Sequence, residues 1–463
     1  MATTYLERTQ TAGSQTTWTL SYWVKFSGIS GNNDMCLWTT GTDATSNCSK
    51  IEMSGSGTDG AFQFQDTGTR FQKTTNRLFR DTSGWYNFVI AVDTTLVAAD
   101  DRIKIYVNGV QETSFLNSTN PAQDLAMYGV NSSGDPVMIG RGGDFGSSVF
   151  KYFDGLMTHI QFVDGLQLAP TEFGEVDATS GIWKIKTGCY ATPGTNGFCL
   201  KMETTTGSAM GTDSSGEGNN FTEGGSPTQA IDNPSNVYCT VNSLDNYMLD
   251  GTFSNGNTTV ATASGGGSSY TYSTSTFGVS TGKWYWETKY VSKTGGTAYP
   301  MIGISSFQST ANSQELGHHE HDWGYLMDVT SKLRNNDASI AWGDNFTEGD
   351  IIGVGLDLDN NKLYFAVNGT WVNSGVPTSG ATGTGAISIT APASTPKGAY
   401  FASVCYWDGT YGGTFDNNFG NGYFGITQVS SAGTSSTDDD SIWEYDCPTG
   451  YYGLNTNNRN TYG

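Results

Sequence analysis

The sequence predicts an all-β fold of the sandwich or jelly-roll kind, and three observations predict it. Short apolar runs alternate with polar residues at period two, the mark of half-buried strands. Turn-forming residues recur between the runs. Gly alone accounts for 61 of the 463 residues, roughly twice its usual share. Long runs of helical periodicity are missing, which argues against helix-covered parallel sheets.

Taken in order, residues 1–175 carry the first set of strands. Trp18–Phe26 alternates over its whole length, and Cys36–Trp38 and Ala61–Phe64 are shorter candidates. From Gly84, the residues Tyr86, Phe88, Ile90 and Val92 mark an apolar face. A polar loop through Asp100 and Asp101 follows, then Ile103, Ile105 and Val107, then Asn108-Gly109. Asn-Gly after an alternating run is a strong hairpin signal. Val137–Arg141 and Phe153–Asp164 read as further strands, and Pro170–Phe173 as a turn or single helical turn.

Residues 176–250 are rich in Gly, Ser and Asn with few core candidates, and read as a connector of ordered loops. Residues 251–430 hold the second set: Lys283–Glu287, Met301–Ile304, Trp323–Tyr325 and Tyr400–Trp407. Here the hairpin recurs. Ile352, Val354, Leu356 and Leu358 precede an Asp359-Asn360-Asn361 turn, and Leu363, Phe365 and Val367 lead to Asn368-Gly369. Two such hairpins ~260 residues apart predict two domains of related architecture. Residues 431–463 read as a polar tail.

Composition excludes several functions. The net charge is −22, from 44 acidic and 22 basic side chains, and no Lys/Arg cluster exists to hold phosphate. Nucleic acid and anionic membrane surfaces are therefore not expected partners. No apolar run approaches the roughly 18 residues of a membrane span, so membrane insertion is not expected. The first residues lack a basic and an apolar region, so no secretory signal is expected in them. The seven cysteines contain no CxxC. Cys36/Cys48 and Cys189/Cys199 are close enough in sequence to pair, but buried free thiols are the expected state.

WTLSYWVKF, GWYNFVIAVD, IKIYVNGVQ, IGR and FDGLMTHIQFVDGLQLAPTEFGE together resemble the laminin-G-like, concanavalin A-like jelly roll. GKWYWE, IGI, WGY, GDIIGVGLDLDNNKLYFAVNG and YFASV resemble a SPRY domain in order and spacing. The flanking GTNGF, GTDSSGEGNNFT, DNPSNVYCTVNSLD and PTGYYGLNT segments complete a module order similar to virion proteins of tailed bacteriophages, marine ones especially. That resemblance implies two concanavalin A-like sandwiches, laminin-G-like then SPRY-like. It also implies a non-enzymatic tail fibre or surface appendage, made in the host cytoplasm and resident in the virion. Its partners would be other virion proteins and a host-surface glycan or protein, in a homo-oligomer with a trimer favoured. Capsid decoration or a fibre-to-tail adaptor is the main rival; a polysaccharide depolymerase and a secreted adhesin rank below it.

His319 and His321 form an HxH pair that could share one face of an extended segment and hold a metal; some phage fibres bind iron this way around an axis. Against this stands a solvated loop. Asp93, Asp100 and Asp101 could hold calcium, since some laminin-G-like modules do, but acidic turns are the simpler account. Asp357–Asn361 fails the EF-hand pattern at Lys362 and Asn368. No cofactor is expected, calcium and iron being the two ions weighed. Glu175-Val176-Asp177 begins a glycosidase-like carboxylate motif that breaks at Ser180. Gly278–Gly282 matches GxSxG without the following helix a nucleophile elbow needs. Trp284 and Trp286 read as core. Trp323, Tyr325, Trp407 and Tyr411 are loop rings that could stack on a sugar or a protein partner, the SPRY resemblance placing binding in such loops.

Overall fold

The computed structural model describes residues 3–27, 35–41, 47–54, 60–143, 150–203, 210–245, 251–262, 270–294, 299–308, 310–311, 314–327, 332–406, 412–430, 432–435, 437–438 and 440–463. The chain divides into two compact units, Met1–Ala230 and Ile231–Gly463. The expected all-β class is found. Strands dominate both units, and the one α-helix among the described residues is Thr456–Tyr462.

In the first unit an eight-stranded antiparallel sheet runs Phe115–Thr119, Gln72–Leu78, Ala61–Asp66, Ser49–Ser54, Met35–Thr40, Pro136–Ile139, Tyr5–Thr9, Thr222–Gly224. A six-stranded sheet runs Phe198–Leu200, Gly155–Asp164, Thr17–Phe26, Tyr86–Asp93, Ile103–Val107, Val110–Gln111. Period-two alternation sends Trp18, Leu20, Tyr22, Val24 and Phe26 into one core with Phe88, Ile90, Ile51 and Phe64. The opposite face of the six-stranded sheet is also covered. Phe173, carried by the 3-10 turn Pro170–Glu172, packs on Val89 and Val163. That second layer explains why Thr17–Phe26 is buried on both faces.

The stretch read as a connector adds strands to this unit. Phe198–Leu200 pairs with Gly155–Asp164, and Thr222–Gly224 pairs with Tyr5–Thr9. Phe198, Leu200 and Phe221 join the core, and polar caps hold the loops around them. The Asn196 side chain accepts from Thr11 N at 3.0 Å and donates to Thr11 O at 2.7 Å. Asp213 accepts from the backbone N–H groups of Cys199, Ser215 and Asn219, each at 2.9 Å. The cysteine expectation needs one correction. Cys189 and Cys199 form a disulfide, their Cα atoms 5.8 Å apart, within bridging range. Cys36, Cys48, Cys239, Cys405 and Cys447 are buried thiols outside that bridge.

In the second unit the larger sheet runs Thr252–Ser254, Thr259–Ala261, Gly412–Asn418, Lys283–Thr294, Ile351–Asp357, Lys362–Val367, Thr370–Trp371, with Ile387–Ser388 also on Lys362–Val367. The smaller runs Thr271–Val279, Tyr400–Tyr406, Pro300–Ser305, Asp322–Leu326, Leu333–Asn335, Ala338–Ile340. Trp284, Trp286, Ile352, Val354, Leu356 and Phe365 share its core. Tyr285 points the other way, beneath Trp443, Cys447 and Tyr451. The stretch read as a polar tail therefore supplies a buried layer. It also interlocks with residues 231–245. Cys239 N donates to Leu454 O at 2.8 Å, Thr456 N to Val237 O at 2.9 Å, and Asn457 N to Asn236 Oδ1 at 3.2 Å.

The two hairpins close in the same way. Asn108 and Asn368 both have positive φ, 49° and 47°, each followed by a positive-φ glycine. The Asn108 side chain accepts from Asn87 N at 2.8 Å, and its own N–H donates to Asn87 O at 2.9 Å. Asn368 makes the same pair of bonds with Ile351, at 3.0 and 2.9 Å. Asn is suited to both tasks: it tolerates the left-handed region, and its side chain reaches the opposing strand.

Candidate functional site

Two neighbouring loops of the second unit gather aromatic, imidazole, carboxylate and guanidinium groups. One joins Pro300–Ser305 to Asp322–Leu326; the other joins Leu333–Asn335 to Ala338–Ile340. Asp322 anchors the first. Its fully buried carboxylate accepts from Ser305 Oγ (2.9 Å), Phe307 N (3.1 Å), Ser306 N (3.2 Å) and Tyr272 OH (3.3 Å). Burial raises its pKa to about 7 against the opposing pull of these donors. The result is a pinned backbone that leaves the Phe307 ring 39% exposed.

Arg334 anchors the second. Its buried guanidinium is ion-paired with Glu315, reaches Asp337 at 3.0 Å and donates to Ser339 Oγ at 2.8 Å. Gly317, at φ +91°, lies so close that a Cβ would stand 2.5 Å from Arg334 O. The histidines sit on this frame. The His319 ring meets Phe307 edge-on at 4.1 Å and pairs through Nε2 with Gln314 Oε1 at 3.1 Å. Burial, then the neighbouring His318 and His321, lower its pKa. His318 Nδ1 lies 3.4 Å from Asp337, and His321 Nε2 3.1 Å from Glu320.

Glu315, His318 and Asp337 bring one ligand atom each within 4.8 Å of one another. They do not fit a cation well, because Arg334 already lies on both carboxylates and supplies the positive charge. The HxH pair does not form the shared face expected of it. Asp322 N donates to His319 O at 3.1 Å, so the backbone turns there instead of extending, and the converging group contains neither His319 nor His321.

The four rings fare differently. Tyr325 is fully buried, stacked on Phe365 at 5.1 Å with its hydroxyl bonded to Asp344 O. It is a core residue and presents no face to a ligand. Trp323 is half-buried against the same core, and its indole N–H has no hydrogen-bond partner among the described residues. Trp407 and Tyr411 lie outside the described residues. Sequence reasoning missed Phe307, Glu315, Arg334 and Asp337; a buried Arg in an acidic chain was the available hint.

The other candidates have structural roles. Glu175 and Asp177 share Lys184, at 3.2 and 3.5 Å. The N–H groups of Ser180 and Thr179 hold Asp177 down to about 2, so Asp177 is not set up as a general acid. An open polar cleft of about 450 Å3 beside them is lined by Glu172, Glu175, Lys186 and Cys189. Asp93 caps Thr95 N at 3.0 Å, Asp101 pairs with Lys104 at 3.1 Å, and Asp100 accepts from Asn120 at 2.7 Å. The three calcium candidates are thus engaged separately. Asp357 is ion-paired with Lys283 at 3.1 Å. Gly278–Gly282 turns straight from Thr271–Val279 into Lys283–Thr294, with no helix between.

The sequence matches the concanavalin A-like lectin/glucanases superfamily over residues 2–169 and the SPRY domain over residues 283–399. The chain thus contains both domains. Among curated proteins it is similar to Ran-binding protein 9 of Danio rerio, 33% identical over 88 residues, and to Ran-binding protein 9 of Homo sapiens, 34% identical over 88 residues. Those alignments cover 19% of this chain and only 14% and 12% of the relatives' own lengths. Among solved structures it is similar to the SPRY domain of human HERC1, at 16% identity and TM-score 0.28, covering 38% of this chain and 96% of that one. A heptameric SAP-like pentraxin from Limulus polyphemus is 16% identical with TM-score 0.26, covering 36% and 72%.

Proposed function

We propose that this chain is a non-enzymatic surface appendage of a tailed-phage particle, a tail fibre or similar part, that attaches to the host through the Phe307–His319–Asp337 surface. The observation that carries the reading is that surface: an exposed aromatic ring, three imidazoles and two exposed carboxylates, Glu320 and Asp337, on loops pinned by Asp322 and Arg334. Rings against sugar C–H faces and polar groups against hydroxyls are the usual means of gripping a glycan, and the same mixture suits a protein epitope. A pinned loop loses little entropy on binding. The order of the two domains supports the phage setting. In this reading the chain assembles as a homo-oligomer, a trimer, with other virion proteins, and resides in the virion after synthesis in the host cytoplasm.

The test is binding to host cells and to a glycan array by the full chain and by a Phe307→Ala/His319→Ala variant. A loss of roughly tenfold or more is expected, with an unchanged melting temperature. Equal binding by the variant, together with cryo-electron microscopy of the particle showing this face buried against another virion chain, would replace attachment by the adaptor or decoration reading.

A further inference from the structure

The geometry points to a covalent crosslink in the first unit: Lys73 Nζ condenses with the side-chain amide of Asn120, assisted by Asp100, to form an intramolecular isopeptide bond. Lys73 lies on Gln72–Leu78, and Asn120 directly follows Phe115–Thr119, the antiparallel neighbour of that strand. The Lys73 Nζ stands 2.6 Å from Asn120 Oδ1 and 2.7 Å from Ser118 Oγ. Asn120 Nδ2 in turn donates to Asp100 Oδ1 at 2.7 Å. Only one orientation of the amide satisfies both neighbours, oxygen to the amine and nitrogen to the carboxylate. The amide is therefore held from both ends by the two groups that an aminolysis needs.

Burial makes the Lys73 ammonium easier to deprotonate. The residue is 4% exposed, and among the described residues no carboxylate is within ion-pairing distance of it. Burial lowers its pKa, opposed by the more distant charge of Asp100. The frame is rigid as well. The buried Arg102 guanidinium donates to Leu96 O (2.8 Å), Val97 O (2.9 Å) and Pro121 O (2.8 Å), tying the turn that carries Asp100 to the chain at Asn120-Pro121. Pro121 matters chemically too. An asparagine amide commonly loses ammonia to attack by the following backbone N–H, and proline has none. Lys73 is the nucleophile left beside this amide.

The step balances without any further reagent. Lys73 first loses its ammonium proton to water, and the neutral Nζ attacks Asn120 Cγ to form a tetrahedral centre. The newly bonded nitrogen gives its extra proton to the Asp100 carboxylate, which passes it to Nδ2 as the Cγ–Nδ2 bond breaks, and ammonia leaves. One amine and one amide become one amide and one ammonia. The product ties down Phe115–Thr119, the outermost strand of the eight-stranded sheet, where unpaired backbone groups otherwise invite fraying. Unlike a disulfide, the link withstands reduction.

The experiment is intact-mass spectrometry of the full chain, followed by tryptic mapping. The expected result is a chain lighter than its sequence by one ammonia, no cleavage at Lys73, and a branched peptide joining Lys73 to Asn120. Lys73→Arg restores the full mass, and Asp100→Asn slows bond formation by roughly a hundredfold or more. A wild-type chain of full mass, whose Lys73 amine is cleaved by trypsin and acylated normally after denaturation, overturns the proposal. So does an ammonia loss that maps to any other peptide. Because the decisive reading is on the wild-type chain, a variant that fails to fold does not obscure it.

Discussion

Glu287 shows how a single residue can organise a surface. It is fully buried on the Lys283–Thr294 strand, facing away from the main core. Its oxygens accept from Glu444 N and Tyr445 N, each at 2.9 Å, from Asn418 Nδ2 at 3.1 Å and from Tyr285 OH at 3.2 Å. The C-terminal segment is thereby clamped to the sheet. Burial lifts the Glu287 pKa to about 7 despite these donors. A carboxyl whose folded pKa exceeds its unfolded one binds its proton more tightly in the native state. Stability therefore falls as pH rises from about 4.5 to about 7 and is level above that. Asp322 acts with the same sign. The melting temperature of the second unit is expected to be higher at the acid end of this window than at its neutral end, with a flatter slope in Glu287→Gln. The opposite slope would mean that the four donors outweigh burial.

At the scale of the element, the two hairpins were legible because everything that makes them is local. Alternation sets the faces, and Asn-Gly sets the turn. Their shared closure yields a matched prediction. Asn108→Ala and Asn368→Ala each strain a left-handed residue and remove one cross-strand bond. Each is expected to destabilise its own unit by about 1–3 kcal/mol in denaturant unfolding, with Gly in the same place costing less. Equal stability of either Ala variant would show that the turn does not depend on its Asn. The HxH reading assumed an extended backbone, whereas the bond from Asp322 N to His319 O turns the chain there. Trp323–Tyr325 was read as a strand, and Tyr325 also as a ring open to a partner; it sits on Asp322–Leu326 with its side chain inward. Period two alone could not say which face of that strand is covered.

For the whole molecule, the division falls at Ala230/Ile231, inside the stretch read as a connector. Fragments 1–230 and 231–463 are expected to fold separately, each with a cooperative thermal transition and dispersed NMR spectra. Fragments cut at the boundaries read from composition should fare worse. A 1–175 piece lacks the Phe198–Leu200 and Thr222–Gly224 strands, and a 251–430 piece lacks Cys239, Val241, Trp443 and Tyr451 from its buried layers. If 251–430 folds as stably as 231–463, the interlocked flanks are ornament.

The sequence by itself determined the class, the position of most strands and the acidic surface, because alternation, turn residues and charge are written along the chain a few residues at a time. Tertiary structure alone decided which polar groups meet. Lys73 and Asn120 are 47 residues apart, Glu287 and Tyr445 158, and Asn236 and Asn457 221. A hydrogen bond across such a separation leaves no periodic trace in either partner's neighbourhood. A stretch held by amide and carboxylate caps therefore reads as a loop until its distant acceptors and donors are in place.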